Sequence, residues 1–329
     1  FLYHGDAGYT SVYADPETAA QTLKAKLKGY KYANLLRPES TYRFMDAGYI
    51  LGDPKNLVKF LLDKYGVFVA ERNDDEVGMP YLVYEVPEQV DMRVAGDFEP
   101  RTDSFDGKVK LTGVDYGRAA GGEAMIDATS RQIPAGSPIW VVLQWVAQTP
   151  IDYDLKTSLV LKDEAGHLAG QVDDLLVDDL YPFERMWAEG ETTNTYHVLP
   201  TLPAIPPGKY QLFLKVYEDK TLRPYPKLDA QGNPETVDVL IGAVEVTPAT
   251  RSQTVAPQVP LQDAPEAAPE LKLIGYDLPV TSIAPGGQSP VTLYWRAGNA
   301  PAGDYGVELQ LRTAGGDVAV RSASPIGGA

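Results

Sequence analysis

Apolar and polar residues alternate with a period of two through much of the chain. Ile139, Val141, Leu143, Trp145 and Ala147 fall on one face of a predicted strand, and Val291, Leu293, Trp295 and Ala297 repeat the row. Both rows are read as core-facing, so Trp145 and Trp295 are interior residues whose indole N–H groups need acceptors. The residues between them in the second row, Thr292, Tyr294 and Arg296, suit water. Those in the first, Trp140, Val142, Gln144 and Val146, are too apolar for solvent, which predicts a covering neighbour. Further strands are predicted near 109–115, 155–162, 195–199, 209–217 and 237–246, with 171–200 as a long irregular stretch. Turn signals at these intervals indicate a β-sandwich.

The alternation is written twice. KLTGVDY, QIPAGSPIWVVLQWVAQ and SLVLKDEAG return as KLIGYDL, SIAPGGQSPVTLYWRAG and ELQLRTAGG. Leu111, Gly113 and Asp115 match Leu273, Gly275 and Asp277. Leu143 and Trp145 match Leu293 and Trp295. Leu159 and Leu161, with Gly166, match Leu309 and Leu311, with Gly315. The second copy holds only the first three strands of the first. Its remaining strands are expected beyond Ala329, in a disordered segment, or from another chain, because half a sandwich has open edges.

The texture changes toward the N-terminus. In YADPETAAQTLKAKLKGYKYANLL, Asp15 is an N-cap, Pro16 suits the first turn, Glu17 favours the dipole and Gly29 stops the helix. GDPKNLVKFLLDKYGVFVA repeats the device with Asp53, Pro54 and Gly66, followed by strands. The fold class expected is therefore multidomain, α/β plus all-β. A small α/β layer domain spans residues 1–92 and an immunoglobulin-like β-sandwich spans 93–248. A Pro/Ala-rich linker covers 249–269, and an incomplete second β-sandwich repeat covers 270–329.

Composition narrows the chemistry. The 329 residues carry a net charge of −16, which disfavours nucleic acid as a partner, and no cysteine, which removes disulfides and thiolate metal sites. No apolar run reaches transmembrane length, and no signal peptide is visible; a chain opening on Phe1 reads as a piece of something longer. Phosphate-loop, HExxH and GxSxG motifs are missing. His4, His167 and His197 stand in three separate contexts. No cofactor is expected apart from calcium, for which Asp173, Asp174, Asp178 and Asp179 in QVDDLLVDDLYP are candidate ligands. Asp152 and Asp154 form a DxD without a nucleotide fold around it. Tyr181, Phe183 and Trp187, in LYPFERMWAEGE, are candidate sugar-binding aromatics, set against the alternative that the loop tucks them onto the sandwich edge.

Three segments carry a resemblance: VYADPETAAQTLKAKL, YPFERMWAEGETTNTYHVLPTLPAIPPGKYQLFLKVYE, and the paired LxGxD…PxG…LxW motifs. Together they resemble the region that follows the membrane part of bacterial polytopic glycosyltransferases of the dolichyl-phosphate-mannose-protein mannosyltransferase kind. The chemistry of that family resides in the membrane part, so the resemblance implies no catalytic residue here. It implies that Tyr181, Pro182, Trp187, Gly190, Glu191, Gly208 and Tyr210 are structural residues of the module. The function expected is a non-catalytic extracytoplasmic accessory region, attached through its own membrane-embedded region, that positions a glycan or protein acceptor or scaffolds the parent. The alternatives are a surface or secreted carbohydrate-binding module and an independent carbohydrate-active enzyme.

Overall fold

The computed structural model describes residues 15–36, 55–74, 79–87, 91–120, 130–177, 187–202, 205–249, 257–262, 266–268, 271–278, 291–297 and 305–326. Strand dominates, arranged in several sheets. The chain divides into two compact units, Phe1–Leu202 with Pro207–Pro248, and Pro203–Pro206 with Ala249–Ala329.

The first unit opens with helix α1 (Pro16–Leu27), whose N-cap Asp15 accepts from the backbone of Glu17 and Thr18 as its position predicts. Strand β1 (Tyr32–Leu36), helix α2 (Leu57–Tyr65), β2 (Val67–Asp74) and β3 (Met79–Glu85) follow, and β3 lies between β1 and β2 in an antiparallel sheet. Helix α2 starts later than expected. Asn56, with a left-handed backbone, stands at its N-cap without a side-chain hydrogen bond, and Asp53 and Pro54 lie outside the described residues. Gly66 ends it, donating to the Leu62 carbonyl.

A sandwich completes this unit. Its strands are β4 (Glu99–Phe105), β5 (Val109–Arg118), β6 (Gln132–Pro134), β7 (Ile139–Ala147), β8 (Leu155–Asp163) and β9 (Leu168–Leu176). Then come β10 (Thr192–Leu199), β11 (Gly208–Glu218), β12 (Pro224–Tyr225), β13 (Lys227–Leu228), β14 (Pro234–Thr236) and β15 (Val239–Thr247). One sheet runs β10-β7-β5-β4-β13-β14. The other runs β6-β15-β11-β8-β9, with β12 on β11. The stretch expected to be irregular thus contains most of β9, while β10 is the strand expected near 195–199, begun earlier at Thr192.

The outer face of β7 is covered, as its apolarity requires. Trp140 and Val142 are fully buried in one hydrophobic cluster with Leu57, Phe60 and Leu61 of α2 and Leu23 of α1. The Phe60 ring meets Trp140 edge-on at 6.4 Å and Tyr196 at 5.5 Å. The helices therefore share a core with the sandwich, and residue 92 marks no break in that core.

The second unit holds β16 (Val259–Pro260), β17 (Glu266–Ala268), β18 (Leu271–Asp277), β19 (Thr292–Ala297), β20 (Tyr305–Arg312) and β21 (Val318–Ile326). The repeat read in the sequence is a repeat of strand register. Leu111 pairs Trp145, a bulge follows, and Gly113 pairs Gln144. Leu273 pairs Trp295, a bulge follows, and Gly275 pairs Tyr294. The hairpin β8–β9 returns as β20–β21. Its left-handed glycine is Gly166 in one copy and Gly316 in the other, so Gly316 and not Gly315 is the counterpart. The Pro/Ala-rich stretch is not wholly linker, since β16 and β17 pair with β18 just as β4 pairs with β5.

Candidate functional site

A cavity of about 340 Å³ opens where β9, β10 and the residues before α2 meet. Two edge strands from opposite sheets converge there, and both turn polar residues inward. On β10 the inward phase is Thr193, Thr195 and His197, all buried. On β9 it includes Asp174.

These groups form one hydrogen-bonded chain. The Trp145 indole, which can only donate, gives its N–H to Thr195 Oγ1 at 3.0 Å. Thr195 Oγ1 lies 2.9 Å from His197 Nε2, and His197 Nδ1 lies 2.8 Å from Asp174 Oδ2. The ionised Asp174 carboxylate can only accept, so His197 Nδ1–H donates to it, and in the neutral imidazole the Thr195 hydroxyl donates to Nε2. Burial pushes the Asp174 carboxyl up, but the hydrogen bond and charge of His197 and the charge of Lys59 outweigh it and hold the group below the usual carboxylate range.

Hydroxyl, imidazole and carboxylate stand in the order of a nucleophilic triad. The packing gives the hydroxyl a structural role: Thr195 and His197 are 4% and 2% exposed, and Thr195 Oγ1 already accepts from the Trp145 indole. The chain instead fixes the Trp145 ring and ties β9 to β10 across the sandwich. The cavity's lysines are engaged as well: Lys156 pairs Asp219 at 2.5 Å, and Lys55 donates to Thr193 Oγ1 at 2.7 Å.

A second buried polar group sits on α2. Lys64, 2% exposed, donates to the carbonyls of Arg93 and Val94 at 3.1 and 3.0 Å and lies 3.6 Å from the Trp140 ring centroid. Desolvation drives its pKa from 10.5 down to about 7, against the pull of Asp115 and Glu17. The two hydrogen bonds of Lys64 tie the segment entering the sandwich to the helix.

Of the residues predicted to bind sugar, Trp187 alone lies among the described residues. Trp187 is 4% exposed, bridged to Ile151 through both backbone hydrogen bonds, with its indole donating to the Glu191 carbonyl at 3.2 Å. Its ring is covered and offers no stacking face. Tyr181 and Phe183 lie outside the described residues, as do Asp178 and Asp179. Asp173 and Asp174 are neighbours on β9 with different partners: Asp174 meets His197, and Asp173 accepts from Gln171 Nε2 at 3.1 Å. Among the described residues no group of three or more carboxylate, histidine or cysteine ligands gathers. His167 pairs with Asp163 at the β8–β9 turn, far from the His197 environment in sequence and partner.

Two buried polar groups escaped the sequence reading, although each left a signal. Lys64 falls on the apolar stripe of α2, three residues after Leu61. Thr195 and His197 share the buried phase of an alternating strand.

No family model matches the chain, and no curated protein matches it. Among solved structures it is similar to the C-terminal domain of wzt, at 12% identity and a TM-score of 0.31, over 48% of this chain and 90% of that one. It is also similar to a Niemann-Pick type C2 protein from Japanese carpenter ant, at 9% identity and a TM-score of 0.26, over 46% of this chain and 100% of that one. Neither match names a mannosyltransferase.

Proposed function

We propose that this chain is a non-catalytic accessory region of a membrane glycosyltransferase-like protein, held on the extracytoplasmic side as a scaffold of tandem immunoglobulin-like modules. What supports this reading is the use made of the residues that carry the resemblance. The Trp187 indole is spent on the Glu191 carbonyl, the Glu191 carboxylate accepts from Ala188 N–H at 3.0 Å, and Gly190 N–H donates to the Ala147 carbonyl at 2.8 Å. Tyr210 is buried in β11. Each holds strands together, and the buried polar chain at the cavity is satisfied from within. A small α/β layer built on α1 and α2 would brace the first module through Trp140. Among the described residues no helix is long and apolar enough to cross a membrane.

The test uses the native polypeptide that contains these residues. Cell fractionation is expected to place it in the membrane fraction, with residues 1–329 cleaved by protease added to intact cells after outer-layer permeabilisation. Purified 1–329 is expected to turn over no polyprenyl-phosphate sugar donor. Recovery of the intact native polypeptide in the soluble fraction, or donor turnover by 1–329 alone, overturns the reading.

A further inference from the structure

Strands β1 and β2 run parallel to each other on either side of β3, so both begin at the same end of the sheet. Tyr32 and Val67 each stand opposite Glu85 there. Helix α1 feeds this end through Gly29, and α2 through Gly66. Large apolar side chains lie open at it: Tyr30 is 67% exposed, Tyr32 49%, Phe68 55% and Val69 50%. Val69 is the extra residue of the bulge between Phe68 and Ala70. One step along the sheet, Ala33, Leu35, Leu82 and Tyr84 are buried in the core, so the exposure belongs to this end and not to the whole sheet.

The local charge is opposite to that of the chain. Residues 18–32 carry four lysines and no acidic residue, within a net charge of −16. Lys26, Lys28 and Lys31 are exposed. Lys31 lies 5.2 Å from the Tyr32 ring centroid and pairs with Glu85 at 3.4 Å, and Lys24 pairs with Asp91 at 3.1 Å, so these two carboxylates are already met. Among the described residues Lys26 and Lys28 enter no ion pair. Charges more than about 10 Å away are largely screened at ordinary ionic strength, so an approaching surface meets these lysines and not the distant carboxylates. Tyrosine beside lysine suits a bilayer interface. The phenol rests at headgroup depth, and the lysine stem covers apolar surface while its ammonium reaches phosphate. A second copy of this chain is a poorer occupant, because a two-fold contact would set the same lysines against each other.

The geometry points to this end of the sheet as a membrane-contact surface, and to an anionic lipid bilayer as its occupant. Lys26, Lys28 and Lys31 meet the headgroups, and Tyr30, Tyr32, Phe68 and Val69 enter the interface. The inference stands apart from the accessory-region reading, since it needs neither a membrane-embedded parent nor a particular side of the membrane.

The experiment sediments the chain spanning residues 1–329 with vesicles of phosphatidylcholine alone, and with vesicles in which about one third is phosphatidylglycerol. Binding is expected to the anionic vesicles only, and to fall roughly tenfold between about 0.1 and about 0.5 M salt. Lys28→Gln is expected to weaken it about fivefold, and Tyr30→Ser combined with Val69→Ser about tenfold. Lys220→Gln, at an exposed lysine between β11 and β12, is expected to change nothing. All four substituted positions are exposed, and circular dichroism checks that each variant is folded. No binding to anionic vesicles, equal binding to both kinds, native binding by the folded patch variants, an equal loss from Lys220→Gln, or a dimer of the chain that Tyr30→Ser dissolves would each overturn the inference. None of these results bears on the fraction in which the native polypeptide is recovered.

Discussion

Lys64 shows how one residue can set the pH response of this fold. Unfolded, its amine titrates at the ordinary 10.5; folded, at about 7. Between those values the unfolded chain holds a proton that the folded chain has released, so stability rises with pH across that window, and below it the cost of the buried charge is fully present. The expected slope is up to ~1.4 kcal/mol per pH unit. Urea unfolding at pH steps from 7 to 10 is expected to show that slope in the native chain and to lose it in Lys64→Met. Parallel profiles for the two proteins would remove the buried-amine account. The position was visible as a charge on an apolar helical stripe, but sequence could not distinguish a snorkelling lysine from one sealed against Trp140. The same limit applies to His197, whose strand was legible while its partners Asp174 and Thr195 come together only through the meeting of two edge strands.

Among the elements, LxGxD is the motif whose purpose the fold explains. A Cβ on Gly113 would lie 3.2 Å from the Phe98 Cβ and 2.5 Å from Gln144 Oε1, and one on Gly275 would lie 2.7 Å from the Val259 carbonyl oxygen. The glycine lets the incoming edge segment cross at close range. The aspartate then holds that segment: Asp115 accepts from Gly96 N–H at 2.6 Å, and Asp277 accepts from Gln258 N–H at 2.6 Å. Gly113→Val is expected to destabilise the first unit by about 1–3 kcal/mol through overpacking. A shift of its urea midpoint measures this, and a midpoint unchanged within error would mean the edge segment is not pinned there. The spacing of the motif was plain from the sequence. Its cause was not, because the crossing strand β16 lies in a stretch whose proline and alanine content reads as linker. A strand of two residues beside a stronger one leaves almost no periodic trace.

At the scale of the molecule, the repeat and the sandwich were legible because alternating rows survive in both copies. The need for a cover over Trp140 was legible too, as an outer face too apolar for water. The sharing of one core between helices and sandwich was not, because helix periodicity reports which face is buried and never against what. The burial of Trp187 was hidden for a related reason: a tryptophan in a loop looks exposed until the bridge to Ile151 is known. The central claim is that one strand unit, bulge included, is built twice in this chain. Selectively labelled protein spanning residues 1–329 in solution gives the most direct check, through cross-strand nuclear Overhauser effects in β18 and β19. The account predicts contacts pairing Leu273 with Trp295 and Gly275 with Tyr294, with Ile274 left as the extra residue, matching Leu111 with Trp145 and Gly113 with Gln144. An unbroken register that pairs Ile274 with Tyr294, or no contact between β18 and β19, would contradict it.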